Sequence, residues 1–151
     1  MEKARYDVLD ICRYVVNRCF DKGYPATNLK LQKLLYYVQA NFLVELDRPC
    51  FEDDIVAWDL GPVVVRAYRA YSHNGNAPLL KEDERISLPG EDKACIDEIL
   101  AQLVNVSAYN LVNRTHSESP WKDAYADGYG KGSVITKEAI QDYFKPFRNS
   151  R

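Results

Sequence analysis

Between Asp7 and Asp21 apolar side chains fall at Val8, Ile11, Cys12, Val15 and Cys19, with Leu9, Val16 and Phe20 widening the face. Asp10, Arg13, Asn17 and Arg18 take the other side, so the spacing predicts an amphipathic helix. Gly23-Tyr24-Pro25 stops it. The next helical run, capped by Thr27 or Asn28 and reaching about Leu46, is apolar nearly all round, which predicts a helix packed by neighbours on most sides. At about 100° per residue, Lys30, Asn41 and Glu45 share one narrow polar stripe. Gln32 and Gln39 line up on nearly the opposite side, and if that side is buried both amides need hydrogen-bond partners.

Further along, Asp47-Arg48-Pro49 reads as a turn and Ile55–Trp58 as a short strand. Gly61-Pro62 reads as a helix start with proline at its first position, and Val64, Val65, Tyr68 and Tyr71 give that helix a face. It stops at His73-Asn74-Gly75-Asn76. Residues 77–90 form a charged loop whose Ile86-Ser87-Leu88 offers a hairpin partner for Ile55–Trp58. Glu91–Asn105 is helical, with Ile96, Ile99, Leu100, Leu103 and Val104 on one face and acids in the first turn, where the helix dipole favours them. Ser107 caps a short helix through Leu111, Val112 and Arg114, and Ser119-Pro120 opens another with Trp121, Ala124 and Tyr125. After a loop over 127–133, Thr136 caps a last helix that Pro146 follows. The expectation is a mainly α-helical compact domain of six or seven helices over residues 1–151, with one small β-hairpin at most.

Composition agrees with a globular chain: 46% of the 151 residues are hydrophobic and 28% charged. The net charge of −2 speaks against a dedicated nucleic-acid binder, which needs clustered cations. Charge is uneven, because residues 51–100 hold 11 acids against 5 bases. No run approaches the ~20 apolar residues of a membrane span. Met1–Asp7 lacks the apolar stretch of a signal peptide, so a cytoplasmic location is expected. Cys12 and Cys19 lie about 10 Å apart in helical rise, too far for a disulfide, and Cys50 and Cys95 stand alone. No cysteine–histidine cluster suggests a metal, and no cofactor motif is evident.

Candidate chemistry is sparse. His73 sits in a polar turn. His116, in Thr115-His116-Ser117-Glu118-Ser119-Pro120-Trp121, has a carboxylate and two hydroxyls nearby, and a hydrolase using His116 and Glu118 is one reading. Neighbours in sequence rarely converge on one atom, however, and triads are assembled from distant positions. The stretch is better read as capping groups between two helices, with Trp121 plugging the core. Gly128, Gly130 and Gly132 follow no strand and make no phosphate loop. Residues 104–125 can be drawn as a helix-turn-helix, but the cationic supply is thin. Tyr36 and Tyr37 suit core or interface better than base stacking. One tertiary contact is expected: Gln32, Gln39 or Lys33 against the polar 115–118 turn.

Four stretches in order carry a resemblance. Leu29-Lys30-Leu31-Gln32-Lys33-Leu34-Leu35-Tyr36-Tyr37, Arg48-Pro49-x-Phe51, Ala57-Trp58-x-x-Gly61-Pro62-Val63-Val64 and Thr115-His116-Ser117-Glu118-x-Pro120-Trp121 resemble the Panacea domain family, which includes SocA-like antitoxins and phage-associated GepA-like proteins. The resemblance covers about residues 6–125. It implies a mainly helical antitoxin without catalytic activity, carried on a prophage or mobile element and encoded beside the toxin protein that it neutralises by direct contact. A phage-associated interaction protein without a toxin is the alternative. The positions carried over are Lys33, Trp58, Gly61, Pro62, Thr115, His116, Glu118, Pro120 and Trp121, as determinants of fold or of partner binding. For the partner surface, Tyr24, Tyr71 and Tyr129 lack an evident core role, and the acidic Glu82, Asp83 and Glu84 would attract a basic partner. The contact is therefore expected around residues 71–92, with 127–133 as a second patch.

Overall fold

The computed structural model describes residues 2–149. Among these the chain is mainly α, with seven helices and a three-stranded antiparallel sheet. The helices are α1 (Val8–Asp21), α2 (Asn28–Glu45), α3 (Val65–Tyr71), α4 (Gly90–Leu103), α5 (Ala108–His116), α6 (Ser119–Tyr125) and α7 (Lys137–Asn149). The strands are β1 (Ile55–Trp58), β2 (Gly61–Val63) and β3 (Val134–Ile135), with β1 in the middle.

The caps expected for α2, α5 and α7 form, whereas the capping expected from the Thr115–Ser119 stretch does not: α6 has no side-chain cap, and the Thr115 and Ser117 hydroxyls donate back to Val112 O and Arg114 O. Thr27, Ser107 and Thr136 accept hydrogen bonds from the backbone N–H groups of Lys30, Asn110 and Ala139. α2 runs through the centre and touches α1, α3, α4, α5, α7 and β2. Every residue from Lys30 to Leu43 is buried, as an all-round apolar helix requires. Even its polar stripe is covered. Lys30 donates to the carbonyl of Val104 at the C-terminal end of α4, where the helix dipole favours a cation, and Asn41 donates to Cys95 O at 2.9 Å. All four cysteines are free and buried.

Three further expectations need correction. Gly61-Pro62 does not start a helix; it opens β2, which pairs with β1 in the register Trp58↔Gly61, Ala57↔Pro62 and Val56↔Val63. Gly61 has φ +110°, which closes the two-residue turn at Asp59-Leu60 and is incompatible with a helical start. Pro62 is accommodated because β2 is an edge strand. The second neighbour of β1 is β3, through Ile55↔Ile135 and Val56↔Val134, and not Ile86–Leu88. Ile86 and Leu88 pack half-buried against the core instead. Finally, α7 continues through Pro146 instead of ending before it.

Beside the start of α4 lies a buried ion pair. Arg48 and Asp92 are hydrogen-bonded at 2% and 1% side-chain exposure, and Tyr6 covers them with a hydroxyl that also donates to Asp92. Removing one partner strands the other charge in the interior, at a cost of about 3–5 kcal/mol. Asp92→Ala is therefore expected to lower unfolding free energy by about that amount in urea titration. A change below about 1 kcal/mol would show that the pair is solvated.

Candidate functional site

Segments far apart in sequence converge on the β1–β2 hairpin. Three of its carbonyls are taken by side chains from three different helices. Trp121 Nε1 of α6 donates to Trp58 O at 2.9 Å, His116 Nε2 of α5 lies 3.0 Å from Asp59 O, and Lys33 Nζ of α2 donates to Pro62 O at 2.8 Å. Just beyond the hairpin, Gln32 Oε1 accepts from Val64 N at 3.1 Å. Side chains of the protein thus take up four backbone groups in and beside the short ladder.

Gly61 is where these elements meet. A Cβ there would stand 2.8 Å from Thr115 Oγ1 and 2.9 Å from Lys33 Cε, so only a bare backbone fits between α2 and α5. Thr115 is fully buried and donates to Val112 O at 2.8 Å. Lys33 is fully buried too, and burial pulls its ammonium down to about 7. Three residues further along, the buried Glu118 carboxylate accepts from the hydroxyls of Tyr36 and Tyr37, both at 3.1 Å. Arg114 stands 3.7 Å from Glu118 and lies over the Tyr37 ring. Burial raises Glu118 to about 7 and outweighs the opposing hydrogen bonds and Arg114. Pro120 begins α6, and Trp121 stacks between His116 and Tyr125, with ring centroids 4.1 and 4.5 Å away. Tyr125 and Lys131 both hold the Asp59 carboxylate, at 2.5 and 2.9 Å, and these hydrogen bonds lower its pKa.

All nine motif positions therefore fall in or beside one hub. His116 and Glu118 do not face a common atom: the imidazole addresses the hairpin backbone, and the carboxylate addresses two tyrosines. The contact expected between Gln32, Gln39 or Lys33 and the 115–118 turn forms on α2, but neither glutamine makes it. Gln32 turns to Val64 and Asn28, and Gln39 to Cys50 and Phe51. Tyr36 and Tyr37 reach Glu118, while Lys33 and Thr115 share the space around Gly61.

The surface candidates separate. Tyr24 and Tyr129 are exposed, at 50% and 97%. Tyr71, expected to lack a core role, is instead buried, because it closes the face of α3 and its hydroxyl donates to Glu82 at 2.9 Å. Glu82 also lies near Arg13, and Glu84 accepts from Asn17 and Arg18, so these two acids are tied to α1 while Asp83 is exposed. The turn after α3 and the glycine loop meet elsewhere, across a cavity of about 610 Å³ beside the hairpin. Its wall includes Asn28, Gln32, Trp58, Leu60, Tyr68, Asn76 and Lys131. Sequence reasoning missed this cavity and the role of Asp59; the aromatic residues at 58 and 68, on adjacent elements, were the available signal.

Comparison with known proteins agrees with this arrangement. The family described as antitoxin SocA-like, Panacea domain, matches residues 31–122, a span that contains the hub. Antitoxin SocA of Caulobacter vibrioides (strain NA1000 / CB15N) is 34% identical over 154 residues, covering 88% of this chain and 81% of that protein. No solved structure matches. The chain belongs to the SocA-like antitoxin family with a Panacea domain.

Two measurements check the hub. Gly61→Ala adds a clash and a positive-φ penalty, so a loss of roughly 1–3 kcal/mol in denaturant stability is expected; an unchanged midpoint would contradict the tight approach. The two buried ionisable groups predict opposite pH windows. Glu118 titrates near 4.5 unfolded and about 7 folded, so its contribution is full below 4.5 and lost as pH rises through 7. Lys33 falls from 10.5 to about 7, so its contribution is full above 10.5 and lost as pH falls through 7. Relative to the parent chain, Glu118→Gln is expected to gain stability as pH rises from 4.5 to 7, and Lys33→Met as pH falls from 10.5 to 7. Parallel stability–pH curves for parent and variants would refute both assignments.

Proposed function

We propose that the chain acts as one domain, in the cytoplasm, to neutralise a cognate toxin by stoichiometric protein–protein contact, without catalysis, cofactor or nucleic acid. The observation that carries this reading is the use to which the motif is put. Lys33, Thr115, His116, Glu118 and Trp121 direct their polar atoms at other groups of the same chain, and Lys33, His116 and Trp121 tie down the hairpin. They supply no nucleophile–base pair facing a common substrate. Membership of an antitoxin family points the same way. A rigid, pre-ordered surface suits tight binding, because little is lost in ordering it on association.

A one-to-one blocker needs an affinity of about −12 kcal/mol, corresponding to nanomolar dissociation, and an interface of about 1,600 Å² anchored by a few aromatic side chains. Residues 72–76 and 127–133 suit such a contact. They flank the cavity, and the second loop displays Tyr129. Co-expression with the product of the adjacent gene is expected to restore growth, and the two purified proteins are expected to form a 1:1 complex. His116→Ala is expected to lower the melting temperature by several degrees, through loss of the stack on Trp121 and the bond to Asp59 O, and to weaken rescue only in proportion to the folded fraction. Rescue without a complex, or a turnover that vanishes with His116, would overturn the reading.

A further inference from the structure

Resting on the antitoxin reading, we infer that the cavity beside the Asp59-Leu60 turn is the receptor for one uncharged segment of the toxin: an apolar, preferably aromatic, side chain together with its peptide carbonyl.

The first support is size and lining. About 610 Å³ is within the range of about 300–1,000 Å³ found for pockets that enclose organic groups, and far more than an ion needs. Leu29, Leu60, Trp58 and Tyr68 supply the apolar wall, with Trp58 and Tyr68 fixed edge to face at 5.1 Å.

The second is polar complementarity. Asn28 and Gln32 line the cavity and are 3% and 1% exposed. Asn28 Nδ2 donates to Tyr68 O, and Gln32 Nε2 donates to Asn28 Oδ1. Each oxygen accepts one hydrogen bond and each NH₂ donates one, so each amide keeps a second lone pair and a second hydrogen. The wall therefore suits a neutral peptide group, which brings a carbonyl oxygen and an N–H.

The third is charge. Asp59 and Lys131, the ionised groups of the wall, are bonded to each other at 2.9 Å. Their charges cancel, so the cavity complements a neutral group and has nothing to offset a phosphate, carboxylate or ammonium. That argues against nucleotides and nucleic acid as occupants.

The fourth is the rim, which distinguishes a protein from a free metabolite. Leu60 is 55% exposed at the turn, and the wall positions Gly75, Asn76, Lys131 and Gly132 are exposed as well. A small ligand held in the cavity would leave their outer faces in water. A protein seated on the mouth would cover them and so surround a desolvated anchor with a sealing ring, the usual arrangement of binding hot spots.

The test is binding of the purified product of the adjacent gene, measured by calorimetry, to the parent chain and three variants. Asn76→Trp fills the cavity from its exposed wall, Leu60→Asp places a charge at the turn, and Tyr109→Ala alters an aromatic that is 73% exposed and lies outside the cavity wall. Asn76→Trp and Leu60→Asp are expected to weaken binding at least thirtyfold (roughly 2 kcal/mol) with melting temperatures within two degrees of the parent (about 0.5 kcal/mol for a domain this size), and Tyr109→Ala to bind as the parent does. As a second readout, N-acetylphenylalaninamide, a neutral aromatic side chain with a peptide carbonyl, is expected to perturb the indole emission of the parent chain at millimolar concentration, and not that of Asn76→Phe, which fills the cavity without adding a fluorescent indole. Parent-like affinity in both cavity variants would overturn this site and leave the antitoxin reading intact. A parent chain that binds no product of the adjacent gene would overturn both.

Discussion

An α-helix buried on all sides has to settle every polar side chain it carries, and in this protein that requirement organises the fold. α2 holds Asn28, Lys30, Gln32, Lys33, Gln39 and Asn41 in the interior, where an unpaired amide or ammonium would cost several kcal/mol. Each is answered by the main chain of another segment. Asn28 takes the carbonyl of Tyr68, Lys30 that of Val104, Lys33 that of Pro62, Gln39 that of Phe51 and Asn41 that of Cys95, while Gln32 receives the N–H of Val64. Apolar packing alone tolerates small slips between elements. Hydrogen bonds to particular backbone atoms do not, so α2 sets the register of α3, α4, the residue 50–51 turn and the hairpin at once.

The same principle bears on His116 and Glu118, which can be drawn as an acid–base pair in the sequence and which address separate groups of the chain in three dimensions. A lysine, a histidine, a glutamate and a threonine are the side chains that an active site recruits, and they are also the ones that can satisfy stray backbone groups in a tight junction. Here the second use prevails. His116 and Trp121 hold the turn from one side and Lys33 from the other, with Gly61 as the only backbone thin enough to lie between Lys33 and Thr115. The outcome is a two-residue turn fixed in place while its Leu60 side chain stays half in solvent.

Much of this was legible in the sequence, and unevenly so. α1 and α4 announced themselves by periodicity, and α2 by the lack of a polar face, because burial is written directly into those patterns. Gly61-Pro62 was ambiguous, since a proline after glycine suits the first turn of a helix as well as an edge strand, and only the positive φ at Gly61 decides for the hairpin. β3 is two residues long, too short for any period to show. The charged loop with Ile86 and Leu88 looked like the natural partner of β1, but local pattern carries no information about which distant segment completes a sheet. The approach of α2 to the 115–118 turn was legible from its buried polar residues, whereas the partners were not, because periodicity does not say that Tyr36 and Tyr37 reach Glu118 across more than eighty residues. The cavity was invisible for the same reason: its wall is drawn from α2, the hairpin, α3 and the glycine loop.

The placement of the two indoles has an optical consequence. The chain contains two tryptophans, and both belong to the hub, Trp58 through its carbonyl and ring and Trp121 through its ring nitrogen and stack. Indole emission, excited at wavelengths the eleven tyrosines do not absorb, is therefore a local signal in a molecule whose circular dichroism is dominated by helices elsewhere. When the two observables are followed together, the first reports whether the turn is held and the second whether the helices stand. Any gap between them is a direct reading of how far the hairpin can come loose while the rest of the molecule remains folded.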